Sequence, residues 1–294
     1  MSTIPAHDVA LPAAVWRANA QAHAERVDAL VADHLKRRRD SQPHPVHDFL
    51  FSYYAYRPSQ LRRWHPGCGV TLVDAEEFTG LRGYAVEHGR AWVTEDFRTS
   101  RRDLIAGTLA LLTATATRSA NTGCFGMHEW AMVYRTEAPR HELPLRLGPA
   151  GTDAVVESHR ISCSHFDAYR FFTDAARDRN TLRPERHNRV TFEQPGCLHA
   201  GMDLYKHAFR LSPLIPSELI ADCFELARAI RVLDMRAAPY DLSEFGFEPV
   251  RIETAEGKRE YASAQLAFSH RAAPLRSRLM RHCEQLMKRC DLER

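Results

Sequence analysis

The stretch SELIADCFELARAIRVLDMRA, residues 217–237, predicts a long amphipathic helix. Its apolar residues recur every three or four positions, the spacing that puts side chains on one face of an α-helix. Ser217 stands before them and suits the N-cap, because a serine hydroxyl can accept a hydrogen bond from an unpaired backbone N–H of the first turn. The stretch therefore predicts a globular chain built largely from packed helices. The apolar positions are Leu219, Cys223, Leu226, Ile230 and Leu233.

Helical spacing also appears on both sides of this stretch. It predicts helices over about residues 11–39, 100–119, 164–178 and 197–211, together with a helix at the C-terminal end. A further helix is predicted to begin at Pro45. Proline suits the first turn of a helix, because the N–H that it lacks would be unpaired there.

Short strand-like runs lie between the helices. GVTLV at 69–73 and YAVEHGRAWVT at 84–94 predict strands, the second with a hairpin turn at His88 and Gly89. Two more strand pairs are predicted, one within residues 143–163 and one within residues 248–265. The pattern predicts a helix-rich α+β fold with a small, mainly antiparallel sheet. We expect an N-terminal helix at residues 1–42 and a single catalytic domain at residues 43–294.

Composition narrows the class of protein. The 294 residues, 44% of them hydrophobic, are enough to build a substantial core. The formal net charge is only +3, so nucleic-acid binding would need a local basic patch. The seven cysteines are scattered and contain no CxxC pair, which predicts reduced thiols and a cytoplasmic location. We expect no membrane association, because the sequence shows no secretory leader and no long apolar run.

Histidines stand close to acids in four semi-apolar segments: HPVHDF, GMHEW, SCSHFD and GCLHAGMD. An imidazole titrates near neutral pH, and a neighbouring carboxylate can orient it or act as a base itself. We expect these groups to converge in one polar, partly enclosed pocket. The candidate catalytic residues in these segments are His128, Glu129, His165, Asp167, His199 and Asp203.

Each of these pairs also has a structural interpretation. Asp167 can complete a helix start, because its spacing from Ser164 is close to that of a capping box. His199 and Asp203 are four residues apart and can form part of a solvated ion-pair face on a helix. His128 and Glu129 can be a buried pair that its neighbours satisfy, since buried charges are tolerated when they are partnered.

A metal centre is an alternative for the same segments. Cys163 and His165 repeat the CxH spacing of Cys197 and His199, although neither CxxC nor HExxH occurs to predict structural zinc. A single or paired transition metal, such as non-haem iron, would take its ligands from distant segments. The histidines that we consider for it are His47, His128, His165 and His199.

Aromatic and basic residues interleave in FLFSYYAYRPSQLRRWHPG, residues 49–67. Aromatic rings can stack on bases while arginines neutralise phosphates, so the segment is a candidate for binding nucleotides or DNA. The alternative is an aromatic core helix that ends in arginines. The candidate substrate-binding residues are Tyr53, Tyr54, Tyr56, Arg57, Arg62, Arg63 and Trp64.

Six blocks between about His44 and Arg276 resemble a group of actinobacterial proteins of this length that are commonly labelled 3-methyladenine DNA glycosylase. The blocks are HPVHDFLFSYY, RRWHPG, NTGCFGMHEWAMVYR, CSHFDAYRFFT, EQPGCLHAGMDLYK and LDMRAAPYDL. The resemblance implies a DNA-repair N-glycosylase that extrudes an alkylated purine and hydrolyses its glycosidic bond with a carboxylate-activated water. It also implies damaged DNA as the partner and no cofactor.

The resemblance leaves Glu129 and Glu157 as candidates for the base. In the better-known methylpurine glycosylases, the second Glu of a VETEAY-like strand activates water. Val156 and Glu157 match the start of that pattern, but His159 stands where the second Glu is expected. We therefore favour Glu129, whose apolar surroundings can tune its carboxylate. A metal-dependent small-molecule enzyme and a non-catalytic nucleotide or nucleic-acid binding protein are the alternatives.

Overall fold

A computed structural model of the chain describes residues 9–137 and 143–291. The chain is 57% helical and 7% strand, which confirms the predicted helix-rich α+β class. Within the described ranges, none of the helices combines the length and the apolar character that crossing a bilayer requires. The strands are β1 (Val9–Leu11), β2 (Val70–Val73), β3 (Tyr84–Glu87) and β4 (Arg90–Val93). The helices are α1 (Ala13–Arg39), α2 (Phe49–Tyr53), α3 (Pro58–Arg62), α4 (Glu95–Thr99), α5 (Arg102–Ala116), α6 (Met127–Ala131), α7 (Gly148–Ser158), α8 (Phe166–Tyr169), α9 (Asp174–Arg177), α10 (Arg189–Phe192), α11 (Leu198–Arg210), α12 (Ser217–Arg236) and α13 (Ala255–Asp291).

The described residues form two compact units, each made of several chain segments. Unit 1 contains the described residues up to Ala110, Leu204–Glu225 and those from Leu275 onwards. Unit 2 contains Leu226–Pro274 and the described part of Leu111–Asp203. The division of the chain at residue 42 stays a prediction. In the structure, α1 packs against α3 and β2 within unit 1.

The sheet of unit 1 has the strand order β1-β2-β4-β3. Only β1 and β2 pair in parallel, so the sheet is mainly antiparallel, as predicted. The hairpin between β3 and β4 turns at His88 and Gly89, whose φ angles are 50° and 74°. Two successive left-handed residues match the right-handed twist of the flanking strands. Trp16, Trp64 and Leu72 contribute to the buried apolar cluster beside this sheet.

Both additional strand pairs predicted from the sequence are wrong. The first region contains α7, which has a proline in its first turn. Its buried residues Thr152, Val155 and Val156 are three and four positions apart, the spacing of a helix face. The second region leads into α13, where Tyr261 and Gln265 are buried one turn apart. In α7 and α13, β-branched or aromatic residues suggested strands, but burial follows the helical period. Residues 248–254 are neither helix nor strand, although Val250 and Ile252 are buried in alternation.

The predicted N-cap role of Ser217 is also wrong. Helix α12 begins at this residue. The Ser217 hydroxyl accepts a hydrogen bond from the backbone N–H of His65 at 2.9 Å and donates to the carbonyl of Arg63 at 3.3 Å. The serine therefore links the helix start to the 63–65 segment of unit 1, instead of satisfying a free N–H of its own helix.

The helix predicted from Pro45 begins later, at Phe49, because the preceding turn is organised by the Asp48 side chain. Its carboxylate accepts hydrogen bonds from the Arg37 guanidinium at 2.5 Å and from the backbone N–H of His44 at 2.9 Å, and it contacts the His34 ring at 2.9 Å. Burial alone would raise the pKa of Asp48, but these partners together lower it to about 2. The turn is thus held by an anion.

We expect Asp48→Asn to destabilise the protein at neutral pH by about 1–3 kcal/mol, the usual cost of losing a hydrogen-bonded charge. The pKa of Asp48 is about 2 when folded, whereas that of an unfolded Asp is about 3.9. Its stabilisation is therefore complete above about pH 4 and is lost as the pH falls towards 2. Urea unfolding at a series of pH values should show a flatter acid limb for the variant. The exposed Asp28→Asn is the matched control, and equal effects of the two changes would contradict the assignment.

Candidate functional site

Three segments of unit 2 bring potential ligand atoms together. His128 lies on α6, His199 on α11 and Asp234 on α12. One ring nitrogen of each histidine and one carboxylate oxygen of Asp234 all lie within 4.8 Å of one another. His128 and Asp234 are buried, whereas His199 is partly exposed. These three residues are called the His–His–Asp cluster below.

The short helix α6 is fixed by its own burial. All five of its residues, 127–131, are buried, and Gly126 precedes them with a φ of 68° that favours glycine. The indole N–H of Trp130 donates to the carbonyl of Ala237 at 2.8 Å, directly after the end of α12. This contact holds α6 against the part of α12 that carries Asp234. His128 and Glu129 therefore have defined positions, although α6 has little more than one turn.

A buried guanidinium organises the acids around the cluster. Arg231 Nη1 donates to Glu129 Oε1 at 2.9 Å and to Asp234 Oδ2 at 2.8 Å. His128 Nε2 lies 3.1 Å from the other oxygen of Asp234, Oδ1. Burial by itself lowers the pKa of His128, but the carboxylates of Asp234 and Glu129 outweigh it and raise that pKa above its ordinary value. Burial by itself raises the pKa of Asp234, but the nearby charge of His128 holds that pKa well below its usual range.

A second ionic group lies on the other side of His199. The His165 ring stacks on the His199 ring with centroids 5.2 Å apart. Its Nε2 is 3.6 Å from Glu193 Oε1 and 3.5 Å from Asp203 Oδ2. Arg189 bridges the same two acids, at 2.6 Å and 3.1 Å. Burial and the nearby charge of His128 lower the pKa of His199 to about 3, so this ring is neutral and can offer a lone pair.

A cavity of about 20 Å³ adjoins the cluster. This volume is enough for about one water molecule. Burial raises the pKa of the Cys163 thiol to about 12 and also raises those of Cys124 and Cys197, so the three sulfurs are protonated at neutral pH. No disulfide joins the cysteines whose side chains the structure describes. The cavity is lined by these three thiols together with His128, His199 and Tyr261, among other residues.

Close backbone packing positions the segment that carries His199. A Cβ atom on Gly196 would lie 2.7 Å from the carbonyl oxygen of Asn121, which no ordinary side chain tolerates. Gln265 Nε2 donates to the carbonyl of Gly196 at 2.6 Å and lies 3.1 Å from the sulfur of Cys124. The PGC turn before α11 is therefore fixed to both neighbouring segments, and this sets the start of the helix that presents His199.

The structure brings most of the predicted catalytic residues together, places Asp167 within electrostatic reach of Arg189 in the second ionic group, and leaves Glu157 outside. His128, Glu129, His165, His199 and Asp203 belong to the connected groups described above. Glu157 is 40% exposed and accepts hydrogen bonds from Tyr134 at 2.9 Å and Arg135 at 2.6 Å, which lower its pKa. Asp167 lies in the first turn of α8, 3.5 Å from Arg170.

The remaining predicted residues lie in unit 1. His47 packs beside His44, with ring centroids 4.5 Å apart, and does not belong to the His–His–Asp cluster. Trp64 is buried and donates its indole N–H to Glu218 at 2.6 Å. Arg62 pairs with Asp28 at 2.8 Å. Their contacts fit the structural interpretation.

The aromatic residues of the predicted binding segment divide in the same way. Tyr54 is buried and packs edge-on against Tyr205, while Tyr53 stacks on Phe49. Arg57 precedes α3, and its backbone N–H donates to the Gln60 side chain at 3.0 Å. Two members of the segment, Tyr56 and Arg63, line a cleft of unit 1.

The sequence alone did not indicate two charged residues of α12 at this site: Asp234, which belongs to the cluster, and Arg231, which binds it. Neither Arg231 nor Asp234 is among the candidate residues that the sequence indicates. The available signal was position: Asp234 is four residues after Ile230, only about 40° away on the helical wheel. A carboxylate on the predicted apolar face must have a buried partner. That partner is Arg231, one turn earlier.

We expect Arg231→Ala to destabilise the protein by about 3–5 kcal/mol, because it leaves the buried carboxylates of Glu129 and Asp234 without their cation. The control is Arg259→Ala, which removes an exposed ion pair with Glu256 and should cost at most about 1 kcal/mol. Guanidinium chloride unfolding of both variants measures the difference. Similar stabilities for the two variants would show that Arg231 does not hold the acids together.

Comparisons with known proteins do not assign the chain to a family. No family model matches the sequence, and neither a curated protein nor a solved structure is significantly similar to it.

Proposed function

We propose that the chain is a metal-dependent enzyme whose ion is held by His128, His199 and Asp234. The observation that supports this most strongly is the convergence of three ligand atoms from three separate helices within 4.8 Å. Two imidazoles and one carboxylate are the ligand set of many non-haem iron(II) sites that keep open positions for other ligands. Iron(II) is therefore the first metal to test.

The distance between His128 and Asp234 suits two ligands of one ion. Ligands that are each about 2.1 Å from a metal and lie at right angles are about 3.0 Å apart. His128 Nε2 and Asp234 Oδ1 are 3.1 Å apart. Arg231 binds the other oxygen of Asp234, so it orients the carboxylate while leaving Oδ1 directed at the histidine. Such outer contacts fix the orientation of metal ligands in known sites.

The hydrogen bonding of the same two atoms also supports a missing partner. His128 Nε2 and Asp234 Oδ1 are both buried, and within the described residues their 3.1 Å ion-pair contact does not reach the geometry of a full hydrogen bond. A buried polar atom without a hydrogen bond costs about 1–3 kcal/mol. A cation placed between the two atoms would displace the proton of His128 and bind both of them.

The adjoining cavity sets the chemistry that such a centre could carry out. An ion here would lower the pKa of a bound water or polarise a small ligand. The space of about 20 Å³ admits a ligand about as large as one water molecule. The protein side chains contribute a wall of neutral thiols and the neutral His199 ring, while Glu129 and Arg231 keep the ligands in place.

Metal analysis tests the proposal directly. We expect tag-free protein supplied with iron(II), manganese(II) or zinc(II) to retain about one ion per chain. His128→Ala, His199→Ala and Asp234→Asn should each weaken binding by more than about 100-fold, since even changes to outer contacts cost 10–100-fold. The exposed His187→Ala is the matched control and should bind as tightly as wild type.

Thermal unfolding supplies a second readout that does not depend on turnover. A ligand present at about 100 times its Kd stabilises the folded state by about 2.7 kcal/mol. Wild type and His187→Ala should therefore gain Tm with the metal and lose that gain with a chelator, whereas the three cluster variants should not respond. Failure of wild type to bind or respond to any of the three metals would remove this proposal.

A DNA glycosylase is the second candidate, supported by the block resemblance and by Glu129. This buried carboxylate has one oxygen, Oε2, without a hydrogen-bond partner among the described residues, and such an oxygen could activate water. The size of the neighbouring cavity opposes this candidate, because pockets for small organic ligands are about 300–1,000 Å³. A cytoplasmic location and damaged DNA as the partner belong to this candidate.

Release of free 3-methyladenine from alkylated DNA tests the glycosylase candidate. If Glu129 is the base, wild type should release the base and Glu129→Gln should be slower by at least about 100-fold, the usual contribution of a general base. Glu157→Gln is the matched control, because that carboxylate lies at the surface. Absence of release by wild-type protein would eliminate this candidate and leave the metal proposal unaffected.

A further inference from the structure

Unit 1 contains a second cavity, which shares no lining residue with the cavity in unit 2. It is a cleft of about 370 Å³. This volume lies in the range of pockets that hold small organic ligands, about 300–1,000 Å³. No carboxylate is among the described residues that line it, whereas Arg63, Arg82, Arg101 and Arg210 all do. The cleft is therefore strongly positive.

The four arginines of the cleft differ from other arginines of unit 1 in their pairing with acids. Arg37 pairs with Asp48, and Arg62 pairs with Asp28. Within the described part of the chain, no acid lies within ion-pair distance of any of the four arginines of the cleft. Guanidinium groups around one cavity repel each other unless an anion is bound. The arrangement is thus suited to a ligand with more than one negative charge.

Aromatic surfaces line the same cleft. Arg82 and Arg101 lie over the Phe97 ring, at 5.8 Å and 5.2 Å from its centroid. On another part of the wall, Tyr56 and Phe209 stack with centroids 3.8 Å apart and an angle of 14° between the rings. Stacked rings beside arginines can receive a planar base while the guanidinium groups bind phosphate.

A neutral histidine adds a directional hydrogen-bonding group. His65 lines the cleft, and burial together with the charge of Arg63 lowers its pKa to about 4. Its Nδ1 is 3.1 Å from the Tyr84 hydroxyl. When that hydroxyl donates to Nδ1, the proton of the ring is on Nε2, which can then donate a hydrogen bond.

From the arginines, the aromatic faces and the size of the cleft, we infer that unit 1 has a binding site for a small phosphorylated ligand with a planar ring, of the nucleotide class. The inference is independent of the metal proposal, because it rests on residues of unit 1 alone. It assigns phosphate contacts to the arginines and ring contacts to the aromatic side chains.

Titration calorimetry with ATP as the probe tests the site. We expect ATP to bind saturably, inorganic triphosphate to bind more weakly, and adenosine not to bind. Arg63→Ala and Arg101→Ala should each weaken ATP binding by about tenfold or more, because each removes a charge-assisted hydrogen bond. The control is Arg62→Ala, which removes the same charge from the neighbouring position but from an existing ion pair, and it should change affinity by less than about twofold.

Two further arms separate the ligand classes. Tyr56→Leu should weaken ATP but leave inorganic triphosphate unchanged, since triphosphate has no ring to stack and Tyr56 does not pack under Arg82 or Arg101. Single-stranded tetrathymidylate should bind less tightly than ATP. Absence of saturable ATP binding, equal effects of Arg62→Ala and Arg63→Ala, or tighter binding of the oligonucleotide would each overturn the inference. Thermal unfolding without ligand verifies that the variants are folded, which the exposed positions of Arg62 and Arg63 favour.

Discussion

The candidate site depends on one buried guanidinium. Arg231 is fully enclosed and bonds to acids from two different elements, Glu129 on α6 and Asp234 on its own helix. Buried ion groups rarely add much net stability, because desolvation offsets their attraction. Removal of one member of such a group is nevertheless strongly destabilising, because it leaves a buried acid without a cation. The geometry around His128 therefore depends on charge balance as well as on the burial of α6.

How much could be predicted from the sequence differs between the fold and the site. The α+β class, α12 and the β3–β4 hairpin follow from local signals: the apolar stripe of residues 219–233 and the His88–Gly89 turn. The strand predictions failed at α7 and α13, where β-branched and aromatic residues carry a helical burial pattern. Local composition was a poor guide there, because tertiary contacts decide which side chains are buried.

For the site, the sequence identified the histidines but not their partners. His128, His165 and His199 were conspicuous because each stands in a semi-apolar segment near an acid. The acids that actually contact them come largely from elsewhere in the chain: Asp234 faces His128, and Glu193 faces His165. Contacts between such distant positions of the chain follow no spacing rule, so only the folded structure reveals them. The aromatic and arginine segment was over-interpreted instead, since four of its seven candidates make structural contacts: Tyr53, Tyr54, Arg62 and Trp64.

The dimensions of the cavity beside His128 and His199 limit the size of the molecules that it can hold. Water, dioxygen and other species of two or three atoms fit a space of about 20 Å³, whereas an organic substrate does not. Selection at this point would thus be made by size before any polar group acts. The three cysteine sulfurs that line this space are protonated, and a protonated thiol oxidises slowly, so the lining should keep its size under mildly oxidising conditions.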